Sequence, residues 1–344
     1  ILQRFFILCP PTTMTNFRAY VLLLALVLFR LFAEAQGSLP LGNLISLGPN
    51  QGLSSSTVYH AFQASQGFLW FGTEYGVYKY DGFTVEHFSE LEGLPDNAII
   101  RLQEDKEGRI WFYSTNGKPS FFFQGEVYSE KNLESLDQFT ARKHIWSIQM
   151  DEKGNTWFAI NNSPQVCLGE NGEITRYPLR KEPVEMGNTL LFHEYKGNWW
   201  AFCSGGFFPI DSSQGEPFAI LPIGERLSGR YHHRSNGEIL FSTFENKIVC
   251  WDGTGFRSFR DQPFPAEILY LYEDSRDRLW VGTRKGVYVG DSSEVKPYLT
   301  DISVTSILED LEGNFWITTL TDGVKMLPDF RIFSPHHPQL QGKV

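Results

Sequence analysis

Apolar and polar positions alternate along this chain in short runs that are broken by Gly, Asp, Asn and Pro. That pattern predicts short β-strands joined by tight turns. The clearest stretch runs from Tyr270 to Asp291: an apolar run, a polar turn, a run carrying Trp280, a turn at Gly286, and a third run. The pattern recurs. Trp70, Trp111, Trp157, Trp200, Leu240, Trp280 and Trp316 hold the same place at intervals of 41, 46, 43, 40, 40 and 36 residues. Six of the nine Trp share this register, which random placement would not produce.

Four short strands recurring every 40–50 residues or so are the signature of a β-propeller blade. The expected fold is all-β, a seven-bladed β-propeller of four-stranded blades over residues 44–333. An N-terminal signal peptide or anchor helix would precede it, and 334–344 would lead to a further domain. Within each repeat the strands are expected in the order A to D from the inside out. Seven A-B-C sets face eight D-like strands, because both 44–47 and 330–333 read as D strands. Residues 44–47 are expected to complete the last blade, with completion by 330–333 as the alternative.

The A–B turn carries Asp-x-x-Gly-x-x-Trp, complete at Asp105/Gly108/Trp111, Asp151/Gly154/Trp157 and Asp310/Gly313/Trp316. Asp277 stands for the Gly in repeat six, Glu194 for the Asp in repeat four, and Ala64 and Arg234 for the Asp in repeats one and five. Asp can accept backbone N–H bonds across the turn, and Gly or Asp tolerates a positive φ. The Trp is expected to pack between neighbouring blades. These residues are therefore structural, and the regular Asp positions are not catalytic candidates.

The net charge of −10 argues against binding nucleic acid, which needs a basic face. From Met14 the chain shows Arg18, an apolar run from Ala19 to Phe29, and Ala33-Glu34-Ala35 ahead of Gln36. This reads as a secretory signal over 1–35, with an uncleaved anchor as the alternative. The apolar run is about half of the roughly 20 residues that a spanning helix needs. Past the signal, Cys167, Cys203 and Cys250 are odd in number and spread over three repeats, so they read as buried apolar residues and not as disulfides.

The stretches EDSRDRLWVGTRKGVY (273–288), QGFLWFGTEYGVYKYDG (66–82), EDKEGRIWF (104–112) and EDLEGNFWITTLTDGV (309–324) resemble the two-component regulator propeller repeats. The resemblance covers 53–328 and is weak in repeats four and five. It implies an exported, periplasmic sensor region, either free or anchored at the inner membrane. Such a region binds a small molecule or glycan fragment and signals to a histidine kinase or other output beyond this chain. It also suggests a homodimer formed through whatever follows the propeller.

Counting four residues back from the turn Asp gives His60, Arg101, Ser147, Leu190, Arg230, Tyr270 and Ser306, a mostly polar position on the innermost strands. Such a ring would face the channel and could hold an anionic or polyhydroxylated ligand. A second candidate surface is formed by the B–C and D–A loops. It offers Glu74, Tyr75, Asn116, Asn161, Asn162, Arg284, Lys285, Thr321 and Asp322, with Asp96, Asn97, Lys143 and His144. Aromatic rings beside amides and acids are what a sugar site uses. His193 and His233 hold equivalent positions but lack further ligands, so no metal or other cofactor is expected. No nucleophile elbow, phosphate loop or zinc spacing is present, and no catalytic residue is assigned. The competing functions are a propeller-fold glycosidase or lyase and a protein-interaction scaffold. Glu74 and Asp322 are the acids that a glycosidase reading would pair. Sialidase-type turns place the Asp two residues before the Gly, whereas Asp105 stands three before Gly108.

Overall fold

Short apolar runs of two to seven residues become strands, and all but the first pair within a sheet with strands next to them in sequence. In a computed structural model, the described residues are 44–329 apart from 134–135, 137–144, 152, 161–164, 170–172, 178–188, 196–197, 204–205, 211–218, 222–224, 261 and 292–293. They form seven four-stranded antiparallel sheets, and the fold is an all-β propeller of four-stranded blades. The first sheet is β2 (Val58–Gln63), β3 (Leu69–Thr73), β4 (Gly76–Tyr80) and β5 (Val85–Phe88). The inner strands of the next five sheets are β6 (Ile99–Glu104), β10 (Ile145–Met150), β14 (Thr189–Tyr195), β18 (Leu227–His233) and β22 (Ile268–Glu273). The last sheet contains β26 (Val304–Glu309), β27 (Phe315–Thr319) and β28 (Val324–Leu327). Its fourth strand is β1 (Ile45–Leu47), paired to β28 with Ile45 opposite Met326 and Leu47 opposite Val324. The expected partner of residues 44–47 is therefore found. Residues 330–333 lie outside the described residues.

The repeated Trp holds neighbouring sheets together. Trp70 of the first sheet shares a cluster with Ile99 and Phe112 of the second. Trp111 does the same with Ile148 and Phe158, and Trp157 with Phe192 and Ala201. Trp280 stacks on Phe315 with centroids 4.4 Å apart, and Trp316 packs on Phe71 and Tyr78 of the first sheet. Each buried large side chain contributes about 1.5–3 kcal/mol.

The turn aspartate does more than cap its turn. Asp105, Asp274 and Asp310 each accept the indole N–H of their own Trp at 2.7 Å, and Asp151 accepts that of Trp157 at 2.9 Å. A second donor comes from the residue four positions on: Arg278 Nε at 2.7 Å to Asp274, or Asn155 Nδ2 at 2.7 Å to Asp151. Asp277 adopts φ 58° where Gly108 has 78° and Gly313 has 85°, as the turn requires.

Sheet five inverts this arrangement. Arg234 holds the Asp position and donates to Glu238 four residues on at 2.8 Å and to Glu273 of the next sheet at 2.7 Å. An arginine cannot accept an indole N–H, and Leu240 in place of Trp removes the donor that would otherwise be stranded. The divergence of this repeat is thus a matched pair of changes.

Gly286 closes the B–C turn for a steric reason. Its φ is +139°, and a Cβ there would lie 2.0 Å from the Leu299 carbonyl oxygen. Cys167, Cys203 and Cys250 are buried free thiols.

Candidate functional site

The inner strands carry polar side chains in two roles, and only one of them concerns the channel. In the first role, a side chain accepts a backbone N–H from the next sheet. Ser306 Oγ accepts Ala61 N at 2.8 Å, His60 Nδ1 accepts Leu102 N at 3.4 Å, and Gln149 Oε1 accepts Phe192 N at 2.8 Å. His232 Nε2 accepts Glu273 N at 3.0 Å, and Tyr272 Oη accepts Glu309 N at 3.3 Å. A ring nitrogen that accepts a proton donor must be neutral. Consistently, burial followed by the Arg101 charge takes His60 down to about 3. Burial takes His232 down to about 4 against the opposing pull of Glu273. The expectation that the whole ring faces open water is therefore corrected: His60 and Ser306 are buried braces between sheets.

In the second role, side chains from distant sheets converge. Arg101 on β6 donates from Nη2 to Tyr231 Oη on β18 at 3.3 Å, and its guanidinium lies 5.3 Å from that ring's centre. These residues are 130 positions apart, so the contact joins sheets two and five. Gln149 of sheet three donates to the same phenol oxygen at 3.0 Å. Tyr270 of sheet six stands 6.1 Å from the His60 ring, centroid to centroid. His233 lies 5.9 Å from Tyr231 and 6.5 Å from His193, and no grouping of three metal-type ligands occurs among the described residues.

Electrostatically the cluster is cationic. Burial, then His193, His232 and Arg101, hold His233 down at about 4, so it carries no charge at neutral pH. Burial raises the Tyr270 phenol, partly offset by Arg101. Tyr231, and behind it Tyr270, stabilise the Arg101 charge against desolvation. Arg230 is exposed to water yet loses part of its charge preference through desolvation. Glu267 counters that loss, while Arg101 and Arg284 add to it. Arg284 donates from Nε to Glu267 at 2.5 Å, which joins the B–C loop of sheet six to the segment entering β22. No ion pair of Arg101 with a carboxylate occurs among the described residues.

Of the residues expected from sequence, His60, Arg101, Arg230 and Tyr270 come together, and Arg284 joins them through Glu267. Tyr231, Gln149, His233 and Glu267 were missed. Tyr231 sits at a position that is apolar in most other repeats, and that difference was the available signal. Ser147, the equivalent of Arg101 in sheet three, has a buried Oγ with no hydrogen-bond partner among the described residues. The side chain of Leu190 lies outside the described set.

The loop candidates do not converge in the same way. Asp96 accepts from Thr115 Oγ1 at 2.7 Å and Asn116 N at 3.1 Å, and Asn116 Nδ2 donates to the Pro95 carbonyl at 3.0 Å, so these polar groups hold the loop together. Asp322 accepts from Thr321 Oγ1 at 2.7 Å. Tyr75 is 58% exposed, with its carbonyl 2.7 Å from the His87 ring nitrogen. The Lys285 carbonyl accepts Asp301 N at 3.1 Å, and its side chain is exposed. Glu74 acts on Tyr59, and no hydrogen bond or ion pair joins Glu74 to Asp322 among the described residues. Lys143, His144, Asn161 and Asn162 lie outside the described residues.

An open cleft of about 570 Å³ lies elsewhere. It is lined by Trp157, Trp199, Tyr177, Cys167 and Glu173 of sheets three and four, and Trp157 itself is buried.

The family model for the two-component regulator propeller matches residues 52–75, 93–112 and 263–285. The chain carries two-component regulator propeller repeats. No curated protein matches it significantly. Among solved structures it is similar to the extracellular domain of a putative hybrid two-component system from B. thetaiotaomicron. The identity is 19%, with a TM-score of 0.64, over 82% of this chain and 41% of that one. A second such domain from the same organism aligns at 16% identity and a TM-score of 0.59, over 83% and 39%. A virginiamycin B lyase from Staphylococcus aureus aligns at 15% identity and a TM-score of 0.62, over 83% and 97%. The chain thus spans about four-tenths of the two-component domains that it resembles. At these identities the likeness concerns the fold.

Proposed function

We propose that this chain is the ligand-sensing propeller of an exported signalling protein. It takes a small molecule or oligosaccharide at the axial cluster and passes occupancy to an output domain, such as a histidine kinase, beyond this chain. The observation that carries this reading is the convergence of Arg101, Tyr231 and Gln149 from three separate sheets on one point. A contact between distant sheets can couple occupancy to the shape of the whole ring. The repeats and the likeness to extracellular two-component domains support the same reading. We take the seven sheets as seven blades of one closed ring, since β1 joins the last sheet and Trp316 of that sheet packs on the first. Export is supported by Arg18, the Ala19–Phe29 run and the Ala33-Glu34-Ala35 site, and a periplasmic location is part of this proposal.

A lyase-like enzyme is the second reading, favoured by the match along nearly the whole of the lyase chain. One experiment separates the two. The full chain is incubated with an oligosaccharide panel, and bound material is recovered and weighed by mass spectrometry. The sensor reading expects saturable binding with every ligand recovered intact, weakened by Arg101→Gln. Catalytic release of shortened or unsaturated products supports the enzyme. Binding that ignores Arg101 removes the axial site.

A further inference from the structure

We infer that the axial site selects an anion, a carboxylate or sulfate group borne by the ligand, which docks against Arg101 and Arg230; this rests on the sensing site proposed above. The chain carries a net charge of −10, yet Arg101 makes no ion pair with a carboxylate among the described residues, and the Glu267 charge that supports Arg230 is already engaged by Arg284. A buried or half-buried guanidinium is normally paired, because desolvation without a counter-charge is costly. Arg101 instead meets a phenol oxygen at 3.3 Å, a neutral acceptor that satisfies one of its five N–H donors.

The Tyr231 hydroxyl already receives N–H bonds from both Arg101 and Gln149, so its own proton is directed elsewhere. It can serve as a donor to an incoming oxyanion beside the guanidinium. Ser147, at the position equivalent to Arg101 on the neighbouring inner strand, has a buried hydroxyl without a partner among the described residues. A guanidinium beside a phenol that has a proton to give is an oxyanion site, and the fork of Arg101 suits a two-oxygen group. A neutral sugar would leave the Arg101 charge as it stands and gain little from it.

Cationic groups in a confined site attract an anionic ligand most strongly at low ionic strength. Both carboxylated and sulfated sugars offer this chemistry, as do free anions, and the test separates them.

The test is calorimetric titration of the full chain at low ionic strength with D-glucuronate, inorganic sulfate and D-glucose. Glucuronate and sulfate are expected to compete for one site and to bind at least about tenfold tighter than glucose, with Arg101→Gln weakening both at least about tenfold. Arg101→Lys should retain part of the affinity, and Lys296→Gln on the exposed outer edge should change nothing. Glucuronate stronger than sulfate points to a uronate, and the reverse order points to a sulfate ester. Equal binding of glucose and glucuronate, both lost in Arg101→Gln, overturns the anion inference and leaves the axial site standing. Anion binding unchanged in Arg101→Gln overturns both, and so does the absence of any anion binding. Should Arg101→Gln fail to fold by circular dichroism, Arg230→Gln carries the same comparison.

Discussion

The indole N–H of Trp70 is buried without an acceptor among the described residues, and Ala64 stands where an aspartate accepts it in four other sheets. The turn is otherwise the same: Gly67 N donates to the Ala64 carbonyl at 2.8 Å, as Gly108 N does to Asp105 at 3.0 Å. The backbone is therefore already in place for the missing carboxylate. Ala64→Asp is expected to stabilise the protein by about 1–2 kcal/mol, since a buried unsatisfied donor costs about that much. Chemical denaturation reads the change; an unaltered or lower midpoint would show that the N–H of Trp70 is satisfied by other means.

The converse change should be costly. Asp310 receives the Trp316 indole at 2.7 Å, Asn314 N at 2.8 Å and Glu312 N at 3.0 Å. Asp310→Ala strands several donors at once and is expected to lower stability by about 3 kcal/mol or more. A loss below about 1 kcal/mol by denaturant titration would reduce the aspartate to a simple turn cap.

The reversed pair in sheet five gives a double-mutant cycle. R234D faces Glu238 and Glu273 with a third carboxylate, and E238R faces Arg234 and Arg257 with another cation. Each single variant is expected to lose stability, and the double variant should recover at least about 1 kcal/mol of the summed loss. Additive losses would mean that the two positions are independent.

Three histidines set a pH dependence, His233 at about 4 among them. His60 is held neutral at about 3 and His232 at about 4, mainly by burial, whereas the unfolded rings titrate near the ordinary value of 6.5. Below 6.5 the unfolded chain binds more protons than the folded one, so their contribution is full above that pH. It is lost progressively as the pH falls from 6.5 towards 4. His60→Asn and His232→Gln keep an acceptor without a titrating ring, and together they should make the stability profile shallower across this window, leaving the part due to His233. A profile as steep as that of the parent would assign the acid sensitivity to other groups.

Hydrogen exchange should divide the ring. Ser65 N donates to Glu104 of the next sheet at 2.7 Å, Ser235 N to Glu273 at 3.0 Å, Ser275 N to Glu309 at 2.7 Å, and Leu311 N to Gln63 at 2.8 Å. Met150, His193 and His233 occupy the corresponding positions of sheets three, four and five, where the carboxylate is lacking. Amides of β10 and β14 are expected to exchange faster than those of β22 and β26. Uniform protection would show that the carboxylate staples add nothing to local stability.

The fold was legible because one Trp register and one turn chemistry repeat, and repetition averages out local ambiguity. Asp277 substituting for a glycine followed from turn sterics, and the count of outer strands left 44–47 and 330–333 as the candidates for the last sheet, of which 44–47 is found there. The axial site was legible only in part. Polarity on an inner strand has two causes that sequence cannot separate: a brace to the next sheet, as at His60 and Ser306, or a group in the channel, as at Arg101 and Arg230. Tyr231 was hidden because its ring packs against the core of sheets four and five while its hydroxyl reaches Arg101 across the molecule. That contact depends on how sheets two, three and five sit around the ring, which no local pattern encodes. The acid clamp at Glu104, Glu273 and Glu309 was visible as a residue before each aspartate, yet its partner lies one sheet back.

The central claim is that the axial cluster binds a ligand and does not transform it. Recovering an oligosaccharide after saturating the full chain, in parallel with Arg101→Gln, tests this most directly. The account predicts one saturable site that depends on Arg101, with the ligand returned unchanged after many half-lives of exchange. Turnover of the ligand, or binding indifferent to Arg101, would contradict it.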